Sequence, residues 1–346
     1  MSVQVDVTFH PRWWHKNSNV SFNEKFFYDV DYRIEADIRM RKTLYEKFGD
    51  LGLGEEDPKP RPILGSDLIA SGFLYSGILG CKVRYSDADP PEVVCANLDE
   101  ESIMKLDVPN LDNCEAWSRI QVQIDRLMKD FGYINSCINL MGIQNIALDV
   151  RGMEFFIDYY TNPDLANHLL DVCTRLSVDI GKRLKKVSKH LSAGVTSIVS
   201  KTIPDVYVTS NCSVEMVSLD IYENYLLKYD NILAEEFKPF GIHHCGKSME
   251  HVAEGYAKVK NLSFAEVGAG SDIKSVRSIL GDIHLNARYS PVKLMDVSEE
   301  ELKKDICKLA EDGKPLDLLS FSCVGIDESV PDRQVRNFIR ICREIG

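Results

Sequence analysis

From Ile242 to the end of the chain, short apolar runs alternate with amphipathic stretches, and this rhythm limits the fold more than any single motif does. A run ending at Cys245 leads to a helix-like stretch, Lys247 to Val259. Then come a strand from Leu262 to Val267, a helix around Ser275 to Leu280 and a strand from Asp282 to Asn286. Ser298 and Glu301 have capping-box spacing, with Val297 and Leu302 placed as a hydrophobic staple, and the helix they open runs to Gly313. The last strand, from Leu316, carries Cys323, and Val335, Phe338, Ile339, Cys342 and Ile345 share one face of the last helix. Strand and helix alternating without a linker predict one α/β barrel over two domains, with an open doubly wound sheet as the main rival. No glycine-rich dinucleotide loop follows any predicted strand.

The first half is less regular, so the barrel is expected to carry an irregular N-terminal extension. Residues 1–60 are read as an arm and helix packed on it, and residues 61–346 as the barrel, one domain overall. Helical stripes are clear at Arg33 to Phe48, at Glu115 to Phe131 and after Asn162-Pro163, whereas Tyr133 to Leu140 and Val195 to Val199 read as strands. Two of the three tryptophans, Trp13 and Trp14, stand together in His10 to His15. They serve either as a plug at the bottom of the barrel or as part of a substrate pocket. Asp67, after Gly65-Ser66, either caps a helix or faces a substrate.

A formal net charge of −12, with basic residues scattered along 346 positions, argues against a nucleic-acid backbone as partner. The start of the chain is polar and aromatic, unlike a signal peptide, and Leu68 to Gly80 is too short for the roughly 20 residues of a membrane span. The expected location is the cytoplasm, where ten cysteines are reduced core residues or metal ligands, not disulfides. Cys137, Cys173, Cys307 and Cys342 are read as core; Cys81, Cys95, Cys114 and Cys212 are left open.

On a strand ending Ile242-His243-His244-Cys245-Gly246, side chains alternate, so His243 and Cys245 share a face and His244 takes the other. Imidazole with thiolate favours Zn²⁺ over hard cations. Glu266 and Cys323 also end apolar runs that close into glycine turns. In a parallel barrel all four reach one rim, the place where barrel enzymes keep their chemistry.

His243-x-Cys245-Gly246 followed by Cys323-Val-Gly-Ile-Asp resembles the zinc-dependent corrinoid methyltransferases of the uroporphyrinogen decarboxylase superfamily. Gly65-Ser66-Asp67-Leu68-Ile69 and Ser218 to Tyr229 resemble two looser motifs of that superfamily. The resemblance implies a (β/α)8 TIM barrel with zinc held at its rim by His243, Cys245 and Cys323. Glu266 fits the third place of the His-x-Cys, Glu, Cys order of cobalamin-independent methionine synthase, as a ligand and catalytic group that yields to substrate. Asp67 matches the catalytic aspartate of the decarboxylases, and Asn286 and Arg288 lie where the family makes substrate contacts. The implied activity is transfer of a methyl group from a small methylated donor to the cobalt of a corrinoid carried by a partner protein. The tryptophan arm favours an aryl methyl ether as donor. Two alternatives are methyl transfer from methylcobalamin to a thiol such as coenzyme M, and a metal-free decarboxylase. The single arginine of His10 to His15 departs from the decarboxylases' Arg-Gln-Ala-Gly-Arg. An oligomer is compatible with all of these.

Overall fold

Six parallel strands form a curled sheet that carries the candidate site on its inner face. The structure, a computed structural model, describes residues 3–69, 71–135, 138–188, 190–192 and 198–345, Ser200 by its backbone alone. Its strands are β1 (Gln4–Phe9), β2 (Lys82–Arg84), β3 (Glu92–Val94), β4 (Tyr207–Ser210), β5 (Phe240–His244), β6 (Leu262–Val267), β7 (His284–Tyr289) and β8 (Leu319–Ile326). The order across the sheet is β1-β8-β7-β6-β5-β4, while β2 and β3 pair separately and antiparallel. Helices Ile273–Leu280, Glu299–Asp312 and Asp332–Ile345 alternate with the last strands as expected, and Ser298 and Glu301 make the predicted capping box.

Eight parallel strands are not present among the described residues. Around the strand expected from Tyr133 to Leu140 there are single contacts: Ile134 bridges Ser188, Met141 bridges Ser210 of β4, and Asn135 donates to the carbonyl of Pro62. Residues 136–137, which include Cys137, and 193–197, which include most of the strand expected at Val195, lie outside the described residues. Ile198–Thr202 is helical, and the strand of this region is β4. The helix expected from Lys247 to Val259 is reduced to Ala253–Tyr256. The amino-terminal segment is part of the sheet, since β1 pairs along its length with β8. No described helix is long and apolar enough to cross a membrane.

Register explains which side chains meet. Partners in a parallel ladder point to the same face, so Ser210, His243, Glu266, Asn286 and Ser320 form one row, and Arg288, Ser322 and Asp6 the row above. Asn286 confirms the shared inner face by donating to Ser322 Oγ at 3.0 Å and accepting from Ser320 Oγ at 3.3 Å. The alternate residues Ile242, Ala265, Leu285 and Leu319 turn outward and are buried. The strands therefore have two largely buried faces, apolar outside and polar in these two inner rows.

Below His243, at the amino ends of the strands, Ile198, Val199, Val206, Val208 and Phe264 form a small apolar cluster of their own. This cluster, not the tryptophan pair, fills the bottom of the sheet. Trp13 and Trp14 lie in helix Pro11–Ser18, which follows the carboxyl end of β1, and are 1% and 0% exposed. Trp13 stacks on Phe9 at 3.9 Å and meets Trp14 edge-on at 4.8 Å, while Trp14 Nε1 donates to the carbonyl of Leu68. Burial on all sides removes both from the list of substrate contacts. Cys173 and Cys342 are core residues as expected, but Cys307 is exposed.

Candidate metal centre

The loops that leave β4 and β5 bring three ligand atoms together. Cys212 opens the turn Cys212–Met216 after β4, His243 is the penultimate residue of β5, and Cys245 follows that strand. Their ligand atoms all lie within 4.8 Å of one another. His243 and Cys245 thus share a face as alternation requires. The third member is Cys212, whose thiol was left open by the sequence because nothing around it repeats the pattern of the other two.

Cys323 is not part of the cluster. It pairs with Val7 and Tyr289, residues of the outward rows, and is fully buried. Burial pushes its thiol up to about 12 against the pull of Arg288. The expectation that Cys323 is a ligand assumed that a strand-end position suffices; the register puts Ser322 on the inner face instead, and alternation turns Cys323 away.

Glu266 stands behind His243, outside the group of converging ligand atoms. Its Oε2 accepts from His243 Nδ1 at 2.7 Å, and Arg288 Nε lies 3.4 Å from Oε1. Glu266 holds the Nδ1 proton of His243, the arrangement by which a carboxylate orients a metal-binding imidazole, and a bound metal would take the place of the proton on Nε2. Glu266 is thus placed to orient His243 from outside that group. Burial opposes charge on His243, but the Glu266 carboxylate and Cys245 outweigh it and raise its pKa to about 9. A hydrogen bond from Cys212 lowers the Cys245 thiol to about 4, helped by His243 and Arg288 against burial.

Two glycines let the loops close. A Cβ on Gly268 would fall 1.8 Å from the carbonyl oxygen of Gly246, and one on Gly246 would strike the Glu215 carboxylate at 2.5 Å.

Beneath the thiols runs a buried polar chain. Asn211 N donates to the His243 carbonyl at 2.8 Å, tying the ends of β4 and β5. Its Nδ2 donates to Asp230 Oδ2 at 2.8 Å, and Tyr222 OH donates to the same oxygen at 2.7 Å. A π-helical turn at Tyr222–Leu226 carries Tyr222 to that oxygen. His244 faces the other way, with Nδ1 2.9 Å from Tyr256 OH.

Burial raises Asp230 from 3.8 to about 6, partly offset by Tyr222 and Asn211. The folded protein then holds a proton that the unfolded chain releases between about pH 4 and pH 6, so this group's contribution to stability falls as pH rises through that window. Asp230→Asn, which keeps an acceptor for both donors, is expected to gain up to about 3 kcal/mol on wild type above pH 6 and little near pH 4. Urea unfolding at both ends of the window measures the difference.

Asp67 and Asn286 lie elsewhere. Arg61 grips Asp67 with two nitrogens, at 2.6 and 3.0 Å, and also holds Asp37 at 2.6 Å, so Asp67 belongs to an ion-pair network and caps no helix. Asn286 is fully buried in the row with Glu266 and is satisfied by serines. Arg288 alone of the expected substrate contacts touches the cluster's surroundings. An open cleft lined by Gly72, Met141, Asn145 and Ser213 reaches Cys212.

No family model and no curated protein matches this sequence. Among solved structures, a methyltransferase from Methanosarcina mazei superposes with a TM-score of 0.67 at 16% identity, over 99% of this chain and 94% of that one. This chain shares its fold. A B12-independent methionine synthase from Shewanella sp. W3-18-1, solved in complex with selenomethionine, superposes with a TM-score of 0.50 at 11% identity, over 99% of this chain and 96% of that one.

Proposed function

We propose that this chain is a zinc-dependent methyltransferase that exchanges a methyl group between a small thiol and the cobalt of a corrinoid supplied by a partner protein. The observation that carries this reading is the convergence of Cys212, His243 and Cys245 at the carboxyl ends of β4 and β5, in a fold shared with a methyltransferase. Two thiols and an imidazole fit Zn²⁺, and three protein ligands leave a coordination place for substrate. Bound there, the ion supplies Lewis acidity that lowers the pKa of a substrate thiol.

The remaining work falls to the chain. Glu266 keeps the Nδ1 proton of His243 in place, and Arg288 sets positive charge beside the carboxylate. The Asn211 and Asp230 bonds hold the two loops at one spacing. The substrate thiol would lose its proton to solvent and take the methyl group on sulfur, and the partner's corrinoid would supply that methyl and keep the bonding electron pair.

Burial of Trp13 and Trp14 removes the support for an aryl methyl ether as donor, which leaves the thiol alternative. The test follows methylcobalamin by its absorbance with zinc-loaded protein and 2-mercaptoethanesulfonate or 2-mercaptoethanol. Demethylation that needs both thiol and protein, and fails with Cys245→Ser, supports the proposal. Zinc-loaded protein that leaves methylcobalamin unchanged with either thiol overturns it.

A further inference from the structure

The hairpin of β2 and β3 carries two cysteines at one end of its ladder, Cys81 just before β2 and Cys95 just after β3. Lys82 pairs with Val94, Val83 with Val93 and Arg84 with Glu92, so the same register sets Cys81 opposite Cys95. Residues that face each other in an antiparallel pair point to the same face, with Cα atoms about 4.5 to 5.5 Å apart. A disulfide spans that separation. Val83 and Val93, two residues along each strand, pack on the hydrophobic core and show which face this is.

Both sulfurs also meet the same helix end. Cys81 Sγ donates to the carbonyl of Asp149 at 3.3 Å, and Cys95 Sγ lies 3.4 Å from the carbonyl of Leu148 and 3.3 Å from Asn97 Oδ1. Leu148 and Asp149 are consecutive residues of helix Ile143–Arg151. Cys81 N donates to the Ser76 carbonyl and Ala96 N to the Asp149 carbonyl, so backbone bonds hold both sides of the pair. Cys81 is buried and Cys95 is partly exposed, and both are free thiols. Burial, joined by Asp149 and Cys95, raises the Cys81 thiol to about 11. Cys95 is therefore the sulfur that meets a reagent first.

We propose that Cys81 and Cys95 form an oxidisable pair, closed to a disulfide by exchange with a small disulfide such as oxidised glutathione. The Cys95 thiolate attacks one sulfur of the reagent, whose S–S bond breaks and releases one thiolate. Cys81 then gives up its proton and attacks Cys95 Sγ; the Cys81–Cys95 bond forms and the second reagent thiolate leaves. Two protein thiols are oxidised, one small disulfide is reduced to two thiols, and the two protons go to the thiolates released. In a reducing compartment such a bond is transient, which is how a redox-sensing pair behaves. Val93 of β3 lines the open cleft that reaches Cys212, as do Leu148 and Asp149, so the bond fixes one wall of that cleft. Neither sulfur belongs to the metal centre.

The full chain, incubated with oxidised glutathione, then alkylated, digested and mapped by mass spectrometry, tests this. A peptide joining Cys81 to Cys95 is expected, with both thiols recovered on adding dithiothreitol. In Cys81→Ser the second step is blocked, and Cys95 is expected to keep one glutathione as a mixed disulfide. Cys114 lines the same surface groove as Cys81 and is the rival partner. A bond from either cysteine to Cys114 in place of the expected one, glutathione retained on both sulfurs, or both cysteines alkylated after oxidation each overturns the proposal. The map of the unsubstituted chain decides the matter even if the serine variant does not fold.

Discussion

Cys212→Ser and Cys245→Ser are each expected to strip zinc from the purified protein, with affinity falling by more than about 100-fold, while Cys323→Ala keeps it. The contrast follows from geometry. The two rim thiols lie within 4.8 Å of the His243 ligand nitrogen, whereas Cys323 belongs to the outward rows that pack under the helices. Glu266→Gln falls between these extremes, at about 10 to 100-fold, because it loosens the orientation of His243 without removing a ligand atom. Metal content by plasma mass spectrometry, with competition against a chromogenic chelator, reads all four variants. Zinc lost from Cys323→Ala and retained by Cys212→Ser would reverse the assignment and return Cys323 to the ligand set.

Trp13→Ala is expected to destabilise the fold by about 3 to 5 kcal/mol, the range for removing a large, fully buried aromatic. Phe9, Trp14 and Phe48 all pack on that ring, at 3.9, 4.8 and 6.4 Å between centroids, so the space cannot close without moving β1 or helix Val30–Phe48. Urea unfolding monitored by circular dichroism measures the loss. If the tryptophan arm lined a substrate pocket instead, the variant would unfold near the wild-type midpoint and change only the response to substrate.

Legibility along the chain followed the strength of local pattern. Helices Glu115–Phe131 and Pro163–Lys185 stand where their apolar stripes and their stops or caps place them, because a 3.6-residue period over many turns overrides local ambiguity. β1 was missed for the opposite reason. Gln4 to Phe9 alternates Asp6 and Thr8 with Val5 and Val7, yet both faces are largely buried, and polar residues in the lumen disguise a sheet strand as a surface arm. The His-x-Cys pair was legible since two residues on one strand obey alternation wherever the strand goes. The fate of Asp67 was not, since Arg61 reaches it through an ion-pair network that no spacing rule predicts.

The sequence by itself determined the alternating α/β architecture of the carboxyl half and the shared face of His243 and Cys245, both consequences of short-range periodicity. Only the tertiary structure decided that six strands pair in one sheet, that Cys212 meets His243 and Cys245, that Cys323 turns into the core and that Glu266 stands behind His243. Those outcomes depend on strand register and on how the loops after β4 and β5 close. Register is set by contacts between residues far apart in the chain, and a shift of one residue in a strand would exchange every inward side chain for an outward one.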